Sequence, residues 1–145
     1  MRRTTTVGVM LLLTLSSSVA FGLARRHGAW DGVLAGKGGS KIKGEIGMVG
    51  GKVAGTTDVD VKLTGDIAGS ARPWHVHVGS CAKGGPVYGD AKAYGLLRVS
   101  AKGTADGKAT LRVGLPDSGY FYVNIHESAT NMSQIVACGD LLLEE

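Results

Sequence analysis

The sequence is poor in aromatic residues, proline and cysteine, and it lacks an excess of one charge. Aromatic residues make up 6% of the 145 residues, proline occurs three times and cysteine twice. The 43% hydrophobic and 19% charged content is ordinary for a globular protein. These values argue against a disordered chain, a collagen-like repeat and a coiled coil. The length allows one small domain at most.

Long hydrophobic runs are also missing, apart from one at the N-terminus. Basic residues at positions 2 and 3 precede an apolar run over residues 7–15 and small residues up to Ala20. This pattern predicts a signal peptide over residues 1–24, cleaved after Ala20 or Ala24. An uncleaved anchor is the alternative, but the run is shorter than the roughly 20 residues of a membrane span. We therefore expect export, to the periplasm or outside the cell, with no membrane span after cleavage.

The net charge gives no reason to expect a nucleic-acid partner. Of 16 basic residues, Arg2 and Arg3 leave with the signal peptide, so 14 basic residues remain against 12 acidic ones. A nucleic-acid-binding domain ordinarily carries a basic patch and a strongly basic balance.

Glycine is abundant, with 24 residues, and no amphipathic helix pattern stands out. Residues 25–40 are rich in glycine and basic residues, which predicts a flexible leader before a domain over residues 41–145. Val59, Val61 and Leu63 alternate with polar residues, as in a half-buried strand. Asp106-Gly107 predicts a turn between strands near residues 97–99 and 109–113. About seven short strands indicate an antiparallel β-sandwich or barrel.

Three histidines suggest a metal site. His75 and His77 are two residues apart in a strand-like run, so both rings project from one face of the strand. His126 ends the segment with the highest β-propensity and provides a third ring. Imidazole suits copper and zinc. Without an ion, the alternative is a surface pair or histidines that only make hydrogen bonds.

The two cysteines allow one pairing, Cys81 with Cys138. An oxidising compartment favours a disulfide over free thiols or a thiolate metal site. The bond would hold the region after His126 against the loop that follows His77.

In these segments the sequence resembles the copper/zinc superoxide dismutase family and the related CHRD domain. The resemblance covers about residues 58–142 and rests on short pieces in the right order: His75-Val76-His77, Gly85-Pro86-Val87, Ile125-His126-Glu127 and Ala137-Cys138-Gly139. It implies an eight-stranded Greek-key β-sandwich with one disulfide. It also implies that His75, His77 and His126 are copper ligands.

The sequence departs from the dismutase pattern in two places. The zinc-binding histidines of that family have no counterpart between Cys81 and Tyr94, where Asp90 is the one carboxylate. Ile135 stands where the family has an arginine that guides superoxide. We therefore expect one copper ion, with zinc unlikely as a second metal, and at best a reduced dismutase efficiency.

Three other residues are candidates for supporting roles. Trp74 is expected to pack at the sandwich end or shield the site. Glu127 could orient His126 as a hydrogen-bond acceptor, although an exposed carboxylate is the commoner outcome. Cleavage after Ala24 would place His27 third in the mature chain, where the amine, two backbone nitrogens and the imidazole could chelate copper in a square plane.

The leading hypothesis is an exported protein that binds a single copper ion, with superoxide dismutation as an activity that such a site could have. The alternatives are a copper carrier without catalytic activity and a metal-free interaction module of the CHRD type. The partners expected are the metal ion and superoxide.

Overall fold

The computed structural model describes residues 28–144, and these residues form eight β-strands. A short 3-10 helix, Ala91–Ala93, lies between the fourth and fifth strands. The strands are β1 (Trp30–Gly36), β2 (Lys43–Gly50), β3 (Thr57–Thr64), β4 (Ala71–Val78), β5 (Leu96–Arg98), β6 (Ala105–Leu111), β7 (Phe121–Ser128) and β8 (Asn131–Leu143).

All strand pairs are antiparallel, in the order β5-β4-β7-β8-β1-β2-β3-β6. The two outer strands, β5 and β6, also contact each other, so the sheet is nearly closed into a barrel. β6 returns to pair with β3 after the β4–β5 hairpin, which is a Greek-key connection. The prediction of an all-β Greek-key sandwich with one disulfide is confirmed.

The core lies between the inward-facing side chains of the strands. Val59, Val61 and Leu63 on β3 are each buried, as their alternation with polar residues predicts. On β4, Trp74 and Val76 face the core. His75 and His77 alternate with these two residues, so their rings stand on the outer face of the sheet.

The prediction of a flexible leader over residues 25–40 is wrong for residues 30–36. These form β1, a central strand that pairs with both β2 and β8. Trp30 and Leu34 anchor it in the core, with 3% and 1% of their surfaces exposed. Close backbone packing accounts for a glycine in this strand, because a Cβ on Gly32 would lie 2.6 Å from the carbonyl oxygen of Asp140. The expected signal peptide and its two cleavage sites lie outside the described residues.

The turn predicted at Asp106-Gly107 is also wrong, because both residues lie within β6. The turn is four residues earlier, where Ser100 N–H donates to the Thr104 carbonyl at 2.8 Å. Gly107 is a packing glycine: a Cβ there would lie 2.6 Å from a methyl carbon of Leu97. Glycine at this position makes room for the core rather than bending the chain.

The predicted disulfide between Cys81 and Cys138 is present and spans 57 positions of sequence. It ties the loop after β4 to the middle of β8. Asp140 reinforces the connection, because its carboxylate accepts a hydrogen bond from Cys81 N–H at 2.7 Å. Among residues 28–144, no helix is long and apolar enough to cross a membrane.

Candidate metal centre

The three predicted histidines meet on the outer face of the barrel. His75 and His77 lie on β4 opposite Asn124 and Tyr122 of β7, and His126 follows on β7 at an irregularity in its pairing with β8. One nitrogen from each ring lies within 4.8 Å of the others, close enough to hold one metal ion. Within the described range, this is the one group of metal-ligating side chains with that proximity.

Loops cover this face, so the centre is largely shielded from water. His77 and His126 are 8% and 6% exposed, while His75 is half-buried. The segment that follows β4 crosses the site, and the isolated bridge between His77 and Val87 holds it there. The centre is therefore a covered pocket, with His75 as its more accessible member.

Backbone carbonyls fix the orientation of two rings. His77 Nδ1 donates to the carbonyl of Gly85 at 2.9 Å, and His126 Nδ1 donates to the carbonyl of Met132 at 2.6 Å. Each ring then keeps its Nε2 lone pair for a metal, because a neutral imidazole carries one N–H and one acceptor nitrogen. Such carbonyl partners are typical of histidine ligands.

The third ring offers its other nitrogen. His75 Nδ1 lies 3.2 Å from Nε2 of His126, inside the cluster. The donor set is therefore Nδ1 of His75 with Nε2 of His77 and of His126.

One of these three nitrogens has no hydrogen-bond partner among the described residues. It is Nε2 of His77, which is buried. A buried polar atom without a partner costs about 1–3 kcal/mol, so native structures rarely keep one without a purpose. A metal ion at the centre of the three rings would supply the missing partner.

Burial keeps the cluster neutral. Desolvation, followed by the charges of His126 and His77, lowers the pKa of His75 to about 4. Burial likewise lowers the pKa of His77 and of His126, against the opposing effect of their carbonyl partners. All three rings are therefore unprotonated at neutral pH, which is the form that binds metal.

We expect the metal-free protein to lose stability as the pH falls below about 6.5, the pKa of histidine in an unfolded chain. The folded-state values are lowered, so the unfolded state binds more protons between that pH and about 4, the folded value for His75. Urea unfolding at about pH 7 and about pH 5 measures the difference. The His75→Ala variant should show a weaker dependence, and equal stability at both pH values would contradict the prediction.

Two tyrosines that the sequence analysis did not assign to the site pack against the rings. Tyr122 stacks on His77, with ring centroids 4.9 Å apart and planes 22° from parallel. Tyr94 meets His75 edge-on at 5.3 Å, and its hydroxyl donates to the carbonyl of Tyr88 at 2.7 Å. Alternation along β7 could have placed Tyr122 on the face of His126, whereas no local pattern marks Tyr94.

Glu127 has the exposed carboxylate that was expected as the commoner outcome, whereas Trp74 packs in the core. Trp74 is 1% exposed and faces the core, where its ring meets that of Tyr94 edge-on with centroids 5.1 Å apart. The Tyr94 ring in turn contacts the ring of His75. Glu127 does not orient His126, whose Nδ1 is bound to the Met132 carbonyl instead. The Glu127 carboxylate accepts a hydrogen bond from Asn131 at the surface. The irregular pairing of β7 with β8 at His126 places the carbonyl of Met132, rather than the carboxylate of Glu127, beside the His126 ring.

A buried arginine supports the strand that carries His126. Arg72 donates from Nε and a terminal nitrogen to both carboxylate oxygens of Asp66, at 2.9 and 2.7 Å. Its other terminal nitrogen donates to the carbonyl of Glu127 at 2.7 Å, one residue after His126. Since Arg72 and Asp66 side chains are 8% and 2% exposed, the pair holds the backbone of β7 rigidly.

We expect Arg72→Lys to lower the affinity of the site for a metal ion about tenfold while keeping the stoichiometry, because outer supporting contacts of metal ligands are ordinarily worth 10–100-fold. A lysine cannot bind Asp66 with two parallel bonds and reach the Glu127 carbonyl. Competition with a chromophoric metal chelator measures the affinity. Arg98→Lys, at an exposed position of β5, is the matched control. Equal affinities of the two variants would show that Arg72 does not act on the site.

The remaining predicted residues are placed as follows. Ile135 lies opposite His126 in the β7–β8 pairing and is half-buried, so an apolar side chain occupies that position. Asp90 caps the 3-10 helix by accepting from Lys92 N–H at 2.9 Å. His27, the candidate for an extra copper site, lies outside the described residues.

No protein-family model matches the chain, and no curated protein matches it. The described geometry shows three histidines that can hold a metal ion, on an all-β sheet that is nearly closed into a barrel and carries one disulfide.

Proposed function

We propose that this protein is exported and binds a single copper ion through Nδ1 of His75, Nε2 of His77 and Nε2 of His126. The observation that carries the proposal is the buried Nε2 of His77, which has no hydrogen-bond partner within residues 28–144 and lies beside two other neutral imidazoles. The disulfide supports export, because such bonds persist in oxidising compartments.

The donor set favours copper among the divalent metals. All three ligands are imidazole nitrogens, without a carboxylate or a thiolate, and nitrogen sites bind Cu²⁺ more tightly than the other first-row divalent ions. Bound copper would supply one-electron chemistry. The chain would hold the donors in place through the carbonyls of Gly85 and Met132, and limit water access through the loop after β4.

Superoxide dismutation is a second candidate function. In that reaction one superoxide is oxidised to dioxygen and a second, with two protons, is reduced to hydrogen peroxide. The half-buried ring of His75 favours it, since a small anion needs access to the site. The resemblance of the histidine segments to the copper/zinc dismutases supports it as well. Ile135 opposite His126 provides no cation to attract superoxide, which favours a slow enzyme or a carrier.

A copper titration followed by thermal melting tests the proposal. We expect one equivalent of copper per chain and a melting temperature that rises with free copper, as for a ligand that binds only the folded state. A superoxide assay on the loaded protein then separates an enzyme from a carrier. Failure to retain copper at micromolar concentration would overturn the proposal and leave the metal-free interaction module.

A further inference from the structure

A basic glycine loop, Lys37–Lys41, joins β1 to β2 in the region that the sequence analysis assigned to a leader. Ser40 N–H donates to the Lys37 carbonyl at 3.1 Å and closes a tight turn. Gly38 and Gly39 have φ of 62° and 85°, which favour glycine. Within residues 28–144 neither glycine N–H has a hydrogen-bond acceptor, so the turn presents two free donors.

The loop borders a surface cleft of about 680 Å³, which residues 65–72 and the β7–β8 hairpin also line. The two carboxylates that line the cleft already have partners within the protein. Asp66 is paired with the buried Arg72, and Glu127 accepts from Asn131. The charges that remain are those of the two lysines.

Lys37 and Lys41 are exposed, and neither has an ion-pair partner in the described part of the chain. A third donor lies beside the glycines, because a Cβ on Gly38 would be 3.5 Å from Nε2 of Gln134. Two backbone N–H groups, an amide and two ammonium groups form a set of donors with net positive charge. Such a set recognises an oxyanion.

We propose that this loop binds the phosphate group of a small phosphorylated molecule, whose organic part lies in the cleft. The cleft volume is in the range of small-molecule sites and far exceeds the needs of a phosphate ion. The site is separate from the three histidines, so this proposal does not depend on copper binding.

Amide NMR spectra of the mature protein, titrated with inorganic phosphate and with glucose 6-phosphate, test the proposal. We expect saturable shifts of the Gly38 and Gly39 amide signals with both, and tighter binding of the sugar phosphate. Glucose alone should cause none. If free phosphate binds as tightly as the sugar phosphate, the organic part has no role and the small-molecule proposal is overturned.

A pair of double variants separates the site from general charge attraction. Lys37→Ala/Lys41→Ala should weaken phosphate binding about tenfold or more. Lys52→Ala/Lys102→Ala removes the same charge from exposed positions elsewhere and should leave binding unchanged. Equal weakening by both, or no shift of the glycine signals, would overturn the proposal. The copper titration of either double variant should match that of the parent protein.

Discussion

Replacing His77 by alanine should lower copper affinity at least about a thousandfold, since loss of a direct ligand costs more than the 10–100-fold measured for outer supporting contacts. Nε2 of His77 is buried without a hydrogen-bond partner among the described residues, and removal of this ring leaves only those of His75 and His126. Two imidazoles alone bind a copper ion weakly in competition with buffer and chelators. Chelator competition and metal analysis after dialysis measure the loss.

The fold should survive this change, which separates metal loss from unfolding. The variant loses the hydrogen bond to Gly85 and the stacking on Tyr122, but it also removes the unpartnered Nε2. Far-UV circular dichroism and a cooperative melt check this. His27→Ala is the control for the N-terminal chelate and should keep copper binding by the three histidines. Full copper retention by His77→Ala would contradict the three-histidine site.

Much of this site was predictable because it rests on strand periodicity. Alternation places His75 and His77 on one face of β4 whatever the rest of the fold does. The third ring, that of His126, had to come from a different strand, and the high β-propensity of residues 120–126 predicted that strand. The disulfide pairing followed from the count of cysteines and the expected compartment.

The parts that sequence could not predict depend on contacts between distant segments. β1 has the glycine-rich composition of a leader, and only its packing between β2 and β8 makes it a strand. Asp106-Gly107 does not form the predicted turn, because both residues lie in β6, where Gly107 leaves room for the side chain of Leu97. The carbonyl that orients His126 comes from Met132 because the β7–β8 pairing shifts there, and no side-chain pattern marks such a shift.

Removing the disulfide by Cys81→Ser/Cys138→Ser should cost about 4 kcal/mol of the free energy of unfolding, from the entropy of closing a loop with a separation of 57 residues. This is a large share of the roughly 5–15 kcal/mol that stabilises a domain of this size. Urea unfolding of the metal-free protein measures the change. A loss below about 1 kcal/mol would show that other contacts hold the loop in both the folded and unfolded chains.

The same double variant should also bind copper more weakly than the intact protein, even at a temperature where both are fully folded. The disulfide anchors the loop that carries the Gly85 carbonyl, and that carbonyl fixes the tautomer of His77. The loop has a second tie, from Cys81 N–H to Asp140, which the serine variant can keep. Asp140→Ala in the intact protein therefore serves as the comparison. Because the disulfide restrains the loop more strongly than one exposed hydrogen bond, we expect the double serine variant to lose more copper affinity than Asp140→Ala. Equal affinities at a temperature where all forms are folded would contradict a role for the disulfide in holding His77.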